Sequence, residues 1–167
     1  MFPELSYSAA LTFSRVSHFF GAVTGVWFFE FSVLLLGAKL NKSLFRSYLA
    51  FSLVMAAVSL TPWMIIAVPA KRCFPYYPEP GTLYLPYIVN YVLPFSHAFL
   101  LLDKAFAAAE PGSQKRKQIF YVLSGTISAW LGIASLFLLI YNVPLTPALV
   151  PLPLIAVMMS YAILRHQ

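Results

Sequence analysis

Three ionisable side chains interrupt apolar parts of this sequence and are its first candidates for chemistry. Glu30 lies in "VWFFEFSVLLL", His97 lies in "LPFSHAFLLL", and His18 lies near the start of the first long apolar run. An unpaired charge is costly in apolar surroundings, so such residues are candidates for function. A carboxyl group and an imidazole at hydrogen-bond distance could both be charged and form a buried pair.

Glu30 and His97 are predicted to lie at the same depth. If the first span is centred near Val26 and another near Leu93, each residue lies about 6 Å beyond the middle of its helix on the same side. One hypothesis is therefore a Glu30–His97 pair. The alternative is a neutral Glu30 that is hydrogen-bonded to a hydroxyl such as Ser59 or Thr61.

Other common chemistries find little support in the residue types. The three histidines differ in predicted depth, with His18 near the outer edge, His97 in the inner half and His166 past the last span, so a bis-histidine haem site is not expected. There is no Cys/His cluster for a metal and no Gly-rich phosphate loop before a helix. No nucleophile, base and orienting group come together. We therefore expect no catalytic residue, no cofactor and no metal, and predict that the protein is not an enzyme.

Composition predicts that the elements holding these residues are membrane helices. The 167 residues are 60% hydrophobic and 10% charged, whereas a soluble domain has about 25% charged residues. Runs of about 20 apolar residues can cross a bilayer as helices, and they lack the alternation of barrel strands. We predict a single all-α domain, a bundle of five transmembrane helices at residues 13–36, 44–68, 83–102, 119–141 and 145–164.

The basic residues predict the orientation of this bundle. Seven Lys and Arg of the short connections, together with Arg165, fall on one side, and three fall on the other. By the positive-inside rule the N-terminus is outside and the C-terminus is cytoplasmic. The net charge of +6 is explained by this asymmetry, so nucleic acid is not an expected partner. The single cysteine, Cys73, falls on the outer side, and no cleavable signal peptide is evident.

The segment "KRCFPYYPEPGTLYLP", residues 71–86, is predicted to be the longest external loop. Its four prolines oppose helix formation, and "EPGT" favours a type II turn with Pro80 and Gly81 at its centre. Tyr76, Tyr77 and Tyr84 suit the membrane interface, where a ring is buried while its hydroxyl stays wet. The segment is either a rigid aromatic turn or part of an external recognition surface.

Gly21 and Gly25 form a Gly-x-x-x-Gly pattern in the first span. Small residues at this spacing allow two helix backbones to approach closely. We expect the face that carries both glycines to meet another helix.

The order of motifs from about residue 44 to the end resembles the C-terminal five helices of the seven-transmembrane N-terminal region of bacterial sensor histidine kinases. In that family a Pro-Gly loop precedes an aromatic-led helix, here "YYPEPGTLYLPYIVNYVL". A basic turn with a glutamine follows, here "GSQKRKQIFYVLSG", and the region ends on Tyr-Ala-Ile-x-Arg, here "SYAILRHQ". The matching positions are Pro80, Gly81, Tyr84, Gln118, Gly125, Pro144, Tyr161, Ala162 and Arg165.

The sequence also departs from this pattern. Leu136 and Leu139 stand where the family usually has an Asn and a Pro, and no kinase domain follows Arg165. The resemblance implies a sensor-like input module in a bacterial inner membrane, without its own output domain and acting through partner proteins. The alternative is a structural accessory subunit of a larger membrane complex. In both cases the partners are the lipid bilayer and other membrane protein subunits.

Overall fold

The computed structural model describes residues 6–71 and 74–143. Its element order is α1 (Tyr7–Leu35), α2 (Lys42–Ser59), β1 (Ile65–Ala67), β2 (Glu79–Pro80), α3 (Tyr84–Ala108) and α4 (Gln114–Ile140). The protein is therefore mostly helical, with one two-stranded antiparallel pairing of β1 and β2. The chain forms two compact units, residues 1–97 and 98–167. The predicted fifth span, residues 145–164, lies outside the described residues.

Helix α1 begins six residues before the predicted start of the first span because Ser6 caps it. The Ser6 hydroxyl accepts a hydrogen bond from the Ala9 N–H at 3.3 Å, which satisfies one of the free amides of the first turn. The helix stops after Leu35, where Gly37 adopts φ 64° and donates to the Leu34 carbonyl. Glycine is favoured in this backbone conformation, because a side chain would clash with the backbone there.

Helix α2 is shorter than the helix predicted for the span at residues 44–68, because residues 60–68 are not helical. The helix starts after Asn41, whose side chain accepts a hydrogen bond from the Leu44 N–H, and ends at Ser59. Pro62 has no N–H to donate and disfavours helical backbone at Thr61, so the helix cannot continue there. The apolar residues that follow form turns and strand β1 instead.

The connection between α2 and α3, residues 60–83, is called the cap here. In it, Ile65 pairs with Pro80 and Ala67 pairs with Glu79. The pairing continues past the strands, where Gly81 donates to the Met64 carbonyl at 2.8 Å and Leu83 donates to the Trp63 carbonyl at 2.9 Å. These bonds position the start of α3 beside the end of α2.

Helix α3 is longer than the predicted span and contains Pro94. A proline inside a helix has no N–H for the carbonyl four residues earlier, here that of Asn90. Leu85, Val89 and Leu93 are exposed on one side of α3, while Tyr84, Tyr87 and Tyr91 are buried on the other. The tyrosine-bearing side of α3 packs against α1.

Helix α4 also starts earlier than predicted, at Gln114 instead of residue 119. The Ser113 hydroxyl caps it by accepting from the Arg116 N–H at 3.2 Å. The Arg116 guanidinium lies 4.6 Å from the centre of the Phe106 ring and donates to the Ala109 carbonyl at 3.1 Å. The basic side chain is thus held against the turn between α3 and α4.

Two of the described helices are long and apolar enough to cross a membrane, judged by length and composition: Tyr7–Leu35, of 29 residues, and Tyr84–Ala108, of 25 residues. Both carry large apolar side chains that are exposed, as well as buried ones.

Candidate functional site

A line of polar side chains runs between α1, α2 and the first part of α3. We call it the polar column; its members are His18, Tyr48, Ser52, Tyr84, Tyr87, Asn90 and His97. The α3 members Tyr84, Tyr87 and Asn90 are three residues apart, and His97 is seven residues after Asn90. At about 100° per residue, each member is therefore close to the next around the helix, and the four together cover an arc of about 140°.

Asn90 is the centre of the polar column. Its side chain is 2% exposed, accepts a hydrogen bond from the Ser52 hydroxyl at 2.8 Å and donates to the Ala22 carbonyl at 2.8 Å. One amide therefore connects α1, α2 and α3. Both groups of the amide are satisfied within the protein, as a buried polar group requires.

His18 lies at the N-terminal end of the polar column, beside the cap. Its Nδ1 donates to the Ser14 carbonyl at 2.8 Å, because a carbonyl can only accept, and its Nε2 is 3.1 Å from the Tyr84 hydroxyl. In the neutral ring this leaves Nε2 as the acceptor for that hydroxyl. The Tyr87 hydroxyl donates to the His18 carbonyl at 3.2 Å. Both ring nitrogens are thus engaged, and His18 joins α1 to the start of α3.

His97 lies at the other end of the polar column. Its Nδ1 is 3.4 Å from the Tyr48 hydroxyl, and its ring centre is 4.8 Å from that of Phe29. His97 is therefore level with the residue that precedes Glu30.

Glu30 has neither of its two predicted partners. Within the described part of the chain, no hydrogen bond or ion pair joins it to His97, while the Ser59 and Thr61 hydroxyls donate to the carbonyls of Ala56 and Val58. Because α1 starts at Tyr7, its midpoint is Gly21 and not Val26. Glu30 is then about 13 Å from the middle of the helix, and its side chain is half-buried.

Gly21 and Gly25 face α3 of the same chain. A Cβ added to Gly21 would lie 2.6 Å from the Tyr87 hydroxyl. A Cβ added to Gly25 would lie 2.9 Å from the Pro94 ring and 3.1 Å from the Tyr91 carbonyl. The small residues allow α1 to pack against the proline-containing part of α3.

The residues of the Pro-rich segment hold the cap together. The Tyr76 ring is 6.5 Å from that of Tyr7, and Tyr77 is 8% exposed. Burial of the Tyr77 ring raises the pKa of its hydroxyl to about 12, because the anion would lose solvation. The predicted type II turn is wrong: Pro80 pairs in β2, and positive φ angles among the described glycines occur at Gly37 and Gly112. Gly81 is needed for another reason, since a Cβ there would overlap the Trp63 carbonyl.

Arg15 is a functional candidate that sequence reasoning passed over. Its guanidinium donates to the Ile65 carbonyl at 2.9 Å, and its own carbonyl is 3.5 Å from the Ser59 hydroxyl. Within the described residues its buried Nε has no hydrogen-bond partner. Arg15 therefore connects strand β1 to the N-terminal half of α1 by a hydrogen bond.

Asn90 and Ser52 were also missed. Asn90 could have been found as the one amide in "LPYIVNYVLPF", placed three residues after Tyr87 and seven before His97 on the same face of a helix. Ser52 carries no comparable signal, because its partner is 38 residues away.

In the described part of the chain, no three His, Cys, Asp or Glu side chains come together as metal ligands. Comparison with protein-family models, with curated proteins and with solved structures finds no match to this chain. The polar column connects helices through hydrogen bonds among its members and from them to the Ser14, His18 and Ala22 carbonyls.

Proposed function

We propose that this chain is an integral membrane module of the sensor-input kind, without enzymatic activity, that acts through partner proteins. It would lie in a bacterial cytoplasmic membrane with five spans, its N-terminus outside and its C-terminus in the cytoplasm. The fold of α1 and α3 supports residence in a membrane, since each is long and apolar enough to cross one. Helix α4, of 27 residues, also exceeds the length of about 20 residues that a crossing needs.

The observation that carries the sensor proposal is the contact between His18 and Tyr84. Tyr84 follows the cap directly and is fully buried, and its hydroxyl meets a ring in α1. A displacement of the cap would therefore act on α1 and on α3 at once. An input module needs such a connection between an external surface and the helices that leave the membrane on the other side.

The test joins a kinase output domain after Gln167 of the full chain, through linkers of two lengths, and measures autophosphorylation in membrane vesicles. Tyr84→Phe removes the hydroxyl that meets His18 and keeps the ring. We expect it to change kinase output about 5-fold or more, the lower range of measured couplings between sites. Tyr76→Phe, in the cap but outside the polar column, is the matched control. Equal output from wild type and Tyr84→Phe with both linkers would contradict the sensor role.

The second candidate, an accessory subunit of a larger complex, is favoured by one face of α1. Large apolar side chains repeat there every seven residues and are exposed: Phe13, Phe20, Trp27 and Leu34. Lipid could cover this face equally well, since lipid tails are as apolar as these side chains. Native separation of a mild detergent extract distinguishes the two candidates. Stoichiometric migration with a large complex would favour the accessory subunit.

A further inference from the structure

The first part of the cap, residues 60–68, has two different sides. Met64, Ile65 and Val68 are buried against the protein, whereas Leu60, Trp63 and Ile66 point away from it. Trp63 is 64% exposed and Ile66 is 56% exposed. This segment follows α2 directly and consists of turns and strand β1, without a helical residue.

Four polar backbone groups of this segment form hydrogen bonds with other parts of the protein. The carbonyls of Trp63, Met64 and Ile65 accept hydrogen bonds from the Leu83 N–H, the Gly81 N–H and the Arg15 guanidinium, at 2.8–2.9 Å. At the far end, the Val68 N–H donates to the Tyr7 hydroxyl at 3.4 Å. Non-helical backbone at membrane depth requires such partners, because lipid supplies none.

Contacts with α1 give the depth of the segment. It starts beside Arg15, which contacts Ser59 and lies about 9 Å from the midpoint of α1. It ends beside Tyr7, about 21 Å from that midpoint. If the middle of α1 is at the middle of the bilayer, the hydrocarbon boundary is at about 15 Å. The segment would then pass from the hydrocarbon core to the headgroups, and Trp63 would lie near the boundary.

We propose that residues 60–68 are immersed in the leaflet at the N-terminal end of α1, with Trp63 and Ile66 in contact with lipid. The segment completes a second crossing that α2 leaves short, since 18 helical residues reach only about 27 Å. Tryptophan suits this position, because its ring is enriched where hydrocarbon meets headgroups. The inference rests on the membrane residence in the proposed function, and it is independent of any signalling role.

The experiment measures the depth of single tryptophans in the full chain. The protein has three, so replacing Trp27 and Trp130 with Phe leaves Trp63, and replacing Trp63 and Trp130 leaves Trp27 as the matched control. Each protein is reconstituted in vesicles of lipids that carry bromine high or low on the acyl chains, and iodide is the aqueous quencher. Circular dichroism and thermal unfolding check that both variants keep the fold.

We expect Trp63 to lose more fluorescence to the high bromines than to the low ones, with little loss to iodide. Trp27, exposed on α1 and about 9 Å from its midpoint, should lose relatively more to the low bromines. Quenching of Trp63 by iodide would place the cap in water, and quenching by neither agent would mean that protein covers it. Both results overturn the inference. If Trp27 too is unaffected by brominated lipid, membrane residence fails, and with it the proposed function.

Discussion

The side-chain amide of Asn90, in α3, forms hydrogen bonds with both α1 and α2. Its bonds to Ser52 and to the Ala22 carbonyl are both 2.8 Å long and buried. In a membrane, hydrogen bonds between helices contribute modestly, about 0.6 kcal/mol on average and up to about 1.7 kcal/mol, because the separated helices also find partners. The amide therefore does more to fix which faces of the helices meet than to stabilise the fold as a whole.

Removal of Asn90 and of Ser52 should be strongly non-additive. Asn90→Ala and Ser52→Ala each break the same bond, so the double variant should lose less free energy of unfolding than the sum of the single losses. We expect a coupling of about 0.6–1.7 kcal/mol, measured by unfolding in mixed micelles with SDS. Ser47→Ala is the control, because Ser47 is exposed on the same helix and bonds within it. Additive losses would show that the Asn90–Ser52 bond contributes nothing.

Tyr77 predicts a pH dependence of the cap. The pKa of its hydroxyl is raised by burial from 10.0 to about 12, so the folded protein holds this proton where the unfolded chain has released it. Stability from Tyr77 is fully present below pH 10 and decreases as the pH rises from about 10 to about 12. Wild type should therefore lose stability relative to Tyr77→Phe across this interval. The measurement is the free energy of unfolding as a function of pH. Tyr76→Phe should follow the same pH dependence as wild type. The same pH dependence in wild type and Tyr77→Phe would refute the prediction.

At the scale of elements, Gly21 and Gly25 predict unequal effects of the same substitution. The Cβ of Gly25→Ala would meet the Pro94 ring and a backbone carbonyl, neither of which can move freely, so we expect a loss of about 1–3 kcal/mol from overpacking. The Cβ of Gly21→Ala would meet only the end of the Tyr87 side chain, which can turn away. Its loss should be smaller, about 1 kcal/mol for the Tyr87 hydrogen bond to His18.

The measurement is again unfolding in mixed micelles, with Thr24→Ala at an exposed position of α1 as the control. A larger loss for Gly21→Ala than for Gly25→Ala would mean that α1 and α3 do not pack as described. If Thr24→Ala lowered the free energy of unfolding as much as the glycine variants do, any change in α1 would be destabilising.

The elements also show how far sequence reasoning reached. The apolar runs predicted the positions of α1, α3 and α4, because each run is long enough to form a helix with large apolar faces. Their ends were missed by up to six residues, because capping by Ser6 and Ser113 depends on single side chains. The end of α2 was missed because "LTPWMIIAV" is as apolar as the helix before it. Its backbone partners, Gly81 and Leu83, are close in space and not in sequence.

The polar column was predicted only in part for a similar reason. Glu30 and His97 stood out by charge, but the direction of a side chain around a helix depends on which helices are neighbours. His97 turned out to meet Tyr48, and the centre of the polar column is an uncharged amide. Hydrogen bonds between residues 38 or 66 positions apart, such as Ser52–Asn90 and His18–Tyr84, follow from packing that no local pattern encodes.

At the scale of the whole molecule, the distribution of basic residues predicts one orientation in the membrane, and the single cysteine makes it testable. Cys73 is in the connection predicted to be outside, and Ser43 is in the basic connection "AKLNKSLFRS" predicted to be cytoplasmic. Intact cells are treated with a thiol reagent that cannot cross the membrane, before and after lysis. Two proteins are compared. One is wild type, and the other carries both Cys73→Ser and Ser43→Cys. Ser43 is exposed on the first turn of α2.

Wild type should be labelled in intact cells, because three basic residues on the outer side against eight on the other favour an external N-terminus and an external cap. The Ser43→Cys protein should be labelled only after lysis. The reverse pattern would invert the orientation and place the cap in the cytoplasm, where it could not receive an external signal. If wild type resists labelling even in detergent, Cys73 is shielded, and Cys73→Ser with Glu79→Cys moves the thiol to an exposed position of the cap. That variant should then be labelled in intact cells, and its labelling only after lysis would exclude the predicted orientation.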